Sequence, residues 1–112
     1  MQPGYTFKGD LSHMKHILLI FLDGIGLGQN DPTTNPFAAA TTPTLDALAN
    51  GHRWLRDTGY QISERAVFVP TDPRMDMPGK PQSASGQAAI LTGKNVPALI
   101  GEHYGPRPNP PI

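Results

Sequence analysis

His16-Ile17-Leu18-Leu19-Ile20-Phe21-Leu22-Asp23-Gly24 is the stretch on which the fold turns. Residues 17–22 are apolar without interruption, whereas a strand with one wet face alternates apolar with polar side chains. A continuous Ile- and Leu-rich run closed by Asp-Gly is the pattern of a strand buried on both faces of a parallel sheet. The run follows Lys15 and His16 as a signal-peptide core would, but it is too short for one, too short to cross a bilayer, and stops at a carboxylate. It is therefore expected to be the first and central strand of an α/β fold rather than a targeting or membrane segment.

Downstream, Gly24, Gly26 and Gly28 alternate with Ile25 and Leu27, and residues 29–36 add Asn, Asp, Thr and Pro. A long loop at the carboxyl end of the strand is expected, with no helix starting promptly. Thr42-Pro43 then predicts a helix, with Thr42 as N-cap, Pro43 at the first position, Asp46 near the positive end, and Asn50-Gly51 closing it. Ala66-Val67-Phe68-Val69 reads as a second short strand stopped by Pro70, and residues 71–81 as a Pro-rich loop. A further helix is expected from about Ser85 to Thr92, ending at Gly93, and beyond Val96 only Pro and Gly punctuation. Upstream, residues 1–13 are polar and aperiodic and are expected to be a disordered N-terminal extension, with Met14 as the natural start. Residues 14–112 are left as one α/β unit, a mostly parallel sheet flanked by helices. It is incomplete, because two strands cannot make a doubly covered sheet.

Composition narrows the partners. The 112 residues allow one domain at most, and 12 Gly with 13 Pro leave much of it as loop. Nine basic and nine acidic residues cancel, so no basic field for nucleic acid exists. The lack of cysteine excludes a disulfide framework and Cys-ligated metal, and fits a reducing compartment, the cytoplasm.

Two places can carry chemistry. Asp23 stands at the carboxyl end of the expected strand, where open α/β sheets place their ligands, and a carboxylate there can hold a divalent cation or simply cap the turn. In Pro81-Gln82-Ser83-Ala84-Ser85-Gly86-Gln87, a hydroxyl at a helix N-terminus feels the positive dipole end beside free amides, so Ser83 or Ser85 is a candidate nucleophile, or an N-cap. Among the histidines, His103, between Gly101 and Gly105, has the best functional claim, though no His is spaced with another ligand as a local metal pair. Three competing motifs fail on position. Gln29 replaces the last glycine of the dinucleotide fingerprint, Asn95 follows Gly93-Lys94 where a P-loop needs Ser or Thr, and the serine segment lacks the first glycine of a hydrolase elbow. A small nucleotide-binding α/β module without catalysis remains the alternative.

The strand closed by Asp23-Gly24 together with Gln82-Ser83-Ala84-Ser85-Gly86-Gln87 resembles the alkaline phosphatase superfamily, closest to its cofactor-independent phosphoglycerate mutase and phosphopentomutase branch. The mutase motif N-S-E-V-G-H superposes on residues 82–87, with Ala84 in place of Glu and Gln87 in place of His. The resemblance implies that Asp23 is a metal ligand and Ser83 both the nucleophile and a ligand, ranking it above Ser85. It implies two divalent ions, Mn or Zn, a phosphorylated small-molecule substrate, and hydrolysis or mutase transfer through a phosphoserine. It also implies further Asp and His ligands from Asp-His motifs; no Asp is directly followed by a His in this sequence. The chain is thus expected to be the N-terminal part of such a metalloenzyme, inactive alone.

Overall fold

The computed structural model describes residues 15–112; the expectation of a disordered extension over residues 1–13 lies outside the described residues. Each helix is set by local chemistry. Helix α1 (Pro36–Ala39) starts where Pro36 needs no amide partner and Asn35 Oδ1 accepts the Phe37 amide at 3.1 Å. Its carbonyl end is closed by Arg53, whose Nη1 donates to Phe37 O at 3.2 Å, Ala38 O at 2.8 Å and Ala40 O at 2.6 Å. A cation at that end also meets the negative end of the dipole.

Helix α2 (Pro43–Leu48) has the expected Thr42 and Pro43 start. The Thr42 hydroxyl, however, bonds Asp46 Oδ1 at 2.9 Å instead of an amide. The chain leaves α2 through Asn50 and Gly51, both left-handed at φ 56 and 84. Trp54 joins these pieces: its indole N–H donates to Leu45 O at 2.7 Å and its ring stacks on Phe37 and tilts against Phe68, with centroids 6.5 and 5.6 Å away.

A single 3₁₀ turn, Arg56–Thr58, leads to strands β1 (Gln61–Ile62) and β2 (Val67–Phe68). They pair antiparallel, Gln61 opposite Phe68 and Ile62 opposite Val67. Helix α3 (Ser83–Thr92) ends at Gly93, whose φ of 68 is the left-handed cap that glycine adopts without a Cβ penalty. Helix α4 (Val96–Ile100) packs against α3. It lies where only loop was expected. Asn95 Oδ1 accepts the Ala98 amide at 3.2 Å, Pro97 sits in the first turn and Gly101 caps the end.

The sheet departs from expectation. Residues 16–22 form no strand, and Ile17, Leu18 and Ile20 are 98%, 82% and 69% exposed. Among the described residues the one sheet has two strands, antiparallel, and parallel pairing is confined to a bridge between Gly28 and Leu55. Among the described residues the expected α/β fold, an alkaline-phosphatase-like mostly parallel sheet flanked by helices, is not present. The reason is hydrogen-bond supply: a central strand needs a ladder on each edge, and the described residues offer two strands of two residues, already paired to each other. The buried apolar side chains are correspondingly small and few: Ala38, Ala49, Leu55, Ala84 and Val96. No helix of the described residues is long and apolar enough to cross a membrane.

Candidate functional site

Helix α3 begins at Ser83, two residues before the expected start, and this separates the two serines. Gln82 is the N-cap, so Ser83 is the first helical residue and its hydroxyl is not spent on capping. One turn on, Gln87 Nε2 donates to Ser83 Oγ at 2.7 Å, the i,i+4 geometry of one helix face. Ser85 is fully buried. Its Oγ accepts the Tyr104 amide at 2.9 Å, and its own amide donates to Tyr104 O at 2.9 Å. Those two bonds pin residue 104 onto the start of α3 and remove Ser85 from any contact with a ligand. Ser83 remains half-buried and accessible.

The helix N-terminus is less open than an anion cradle requires. The Ser85 amide is taken by Tyr104 O and the Gly86 amide by Gln82 O. Gly105 lies against what is left: a Cβ on it would stand 2.9 Å from Ser83 N and 3.2 Å from Ala84 N. Only glycine admits this approach.

Asp23 and Ser83 both line a cleft of about 670 Å³. Phe21, Leu22, Gly24, Thr71 to Pro73, Lys94 and Asn95 also line it. Asp23 does not reach this cleft from the end of a strand, the placement expected of it. Asp23 stands in a turn after residues without regular secondary structure, and Ser83 opens a helix after a loop. Asn95 is fixed, since its Nδ2 donates to Met75 O at 2.9 Å while its Oδ1 caps α4. Lys94, which the sequence offered only as part of a failed P-loop, lines the same cleft.

Asp72 is the second carboxylate of the cleft. Arg74 grips it in a fork, Nε to Oδ1 and Nη2 to Oδ2, both 3.2 Å. The Arg74 side-chain bonds, followed by the Arg74 amide, hold the Asp72 carboxyl below its ordinary range. Asp72 is thereby committed to a cation of the chain itself.

The donors at the cleft suit part of a metal centre. A carboxylate and a hydroxyl are the hard oxygen ligands a divalent ion takes. Among the described residues, though, no three His, Cys, Asp or Glu side chains are grouped to hold a metal, so these residues alone do not build the two-ion centre that the resemblance implies. His103 is not among the residues lining the cleft; its Nε2 lies 3.3 Å from Met77 O. The helix that a dinucleotide fingerprint places directly after Gly28 is absent as well, the next helix being α1 at Pro36. No protein-family model matches the chain, and neither a curated protein nor a solved structure matches it.

Proposed function

We propose that this chain is part of a divalent-metal-dependent phosphoryl-transfer enzyme, a phosphatase or phosphomutase acting on a phosphorylated small molecule, with Ser83 as nucleophile and Asp23 as metal ligand. The observation that supports it is that Asp23 and Ser83, far apart in sequence, line one cleft, while Ser85, the rival serine, is buried and bonded to Tyr104. Ser83 Oγ attacks phosphorus, its proton passes to water, and the bond to the leaving oxygen breaks as that oxygen takes a proton from solvent. Water or a second hydroxyl then cleaves the phosphoserine, giving hydrolysis or transfer. Lys94 offers a point charge for the phosphoryl oxygens of the bound substrate. A bound Mn²⁺ or Zn²⁺ would supply Lewis-acid stabilisation of the phosphoryl charge.

One free carboxylate at the cleft cannot hold two cations, so on this reading further ligands must join Asp23 and Ser83 before the site turns over. The test is Mn²⁺ binding followed calorimetrically. A single weak site is expected, abolished by Asp23→Asn and weakened by Ser83→Ala. Binding indifferent to Asp23→Asn overturns the reading.

A further inference from the structure

We infer that a second cleft, next to the one that Asp23 and Ser83 line, takes a planar aromatic ring, so that the ligand of this chain is an aryl or heteroaryl phosphate. The phosphate half of that inference rests on the proposed phosphoryl site at Asp23 and Ser83. The second cleft has a volume of about 1050 Å³. It meets the first along a common wall, since Ile25, residues 71–73 and Pro81 line both. A molecule whose phosphate lies beside Ser83 therefore has a continuous surface on which to lay its other end. Trp54, Phe68, Arg56 and Arg74 line the second cleft and decide what that end is. Trp54 is held before any ligand arrives, its indole N–H donating to Leu45 O at 2.7 Å and its ring packing on Phe68 with centroids 5.6 Å apart. Arg56 follows the buried Leu55, and its amide donates to Gly28 O at 2.8 Å, which fixes where its side chain leaves the backbone. Arg74 is committed to Asp72 through two bonds of 3.2 Å, so that pair cancels and Arg56 supplies the positive charge of the cleft. A wall of aromatic rings with a guanidinium favours a π-face: rings gain offset or edge contacts, and a guanidinium stacks on an aromatic plane. A small aliphatic phosphate offers Trp54 and Phe68 nothing of that kind. Apolar walls with a few placed charged groups are also the usual make-up of a small-molecule site.

Trp54 is the one tryptophan of the sequence, so its fluorescence reports on the second cleft without a label. The full chain is titrated with phenyl phosphate and with methyl phosphate, with Mn²⁺ present and at about 0.15 M salt to screen long-range attraction. Calorimetry reads the affinities and Trp54 emission reads occupancy of the second cleft. Phenyl phosphate is expected to bind roughly tenfold more tightly than methyl phosphate, and it alone should change Trp54 emission. Arg56→Gln should weaken phenyl phosphate roughly fivefold and leave methyl phosphate unchanged, because what is lost is a contact with the ring. Position 56 is exposed, so the variant keeps the fold. Equal affinities for the two esters, or Trp54 emission indifferent to phenyl phosphate, overturn the inference. So does an Arg56→Gln variant that weakens both esters alike, since that is an effect of charge on the phosphate. Asp23→Asn separates the two clefts. If it leaves both affinities untouched while phenyl phosphate still moves Trp54 and still responds to Arg56→Gln, the ring site stands and the phosphoryl site at Asp23 falls. If the two esters bind equally and both lose affinity in Asp23→Asn, the phosphoryl site stands and the ring site falls.

Discussion

Residues 17–22 are the longest apolar run of the chain, yet they stay uncovered, with Leu19 62% and Leu22 58% exposed. The segment from Ser83 to Gly105 spaces its large apolar side chains apart and leaves Ile90, Leu91 and Leu99 exposed as well, yet it buries Ser85, Val96 and Pro97 and fixes its own turns. The difference teaches that apolar content alone does not order a segment; satisfied backbone does. The first region needs ladder partners on two edges and packing on two faces. The second completes its hydrogen bonds within about twenty residues, through Tyr104 on Ser85, Asn95 on Ala98, and Gly93 on Ala89.

Removing the clamp should have the largest effect. Ser85→Ala deletes the acceptor of the Tyr104 amide and leaves that donor unsatisfied, a loss of about 2 kcal/mol, read from denaturant unfolding. An unchanged midpoint would dissolve the contrast between the two regions. Gly105→Ala comes next. Its methyl must displace the Ser83 backbone nitrogen from 2.9 Å, an overpacking cost of about 1 to 2 kcal/mol, and it should shift the Ser83 and Ala84 amide resonances.

By contrast, Ile20→Asp should change the stability of this chain by less than about 0.5 kcal/mol, the range for exposed positions, while raising its solubility. A loss of several times that would show that residues 17–22 are packed. The smallest effect belongs to Asp72, at the cleft wall beside both regions. Arg74 holds its folded-state carboxyl below the ordinary value of 3.8, so the pair contributes stability above that pH and loses it as the pH falls through the lowered value. Both side chains are exposed, at 66% for Arg74 and 52% for Asp72, so the change in melting temperature should be slight, while carboxyl NMR titration should place Asp72 below 3.8.

What could be read from sequence follows the same division. The α2 start at Thr42-Pro43, its Asn50-Gly51 end, and the Gly93 stop of α3 were legible because caps and left-handed turns act over a few residues. Helices α1 and α4 carry the same signals, Asn35-Pro36 and Asn95 with Pro97, but they are so short that the surrounding prolines and glycines masked them. The strand expected at residues 16–22 failed because its pattern states what the segment would bury, not whether this chain supplies the partners. For the site, sequence order ranked Ser83 against Ser85 only through a resemblance. Burial of Ser85 and the Gln87 contact separate them on physical grounds, and Lys94 became visible only once α3 carried it to the cleft.

Paramagnetic broadening by Mn²⁺ in the folded chain is the most direct probe of whether Asp23 and Ser83 share one cation site. With substoichiometric Mn²⁺, the resonances of Asp23, Gly24, Ser83 and Gln87 should broaden together, and Asp23→Asn should abolish the effect at Ser83. Broadening centred on Asp72, or at Asp23 with Ser83 untouched, would contradict a shared site.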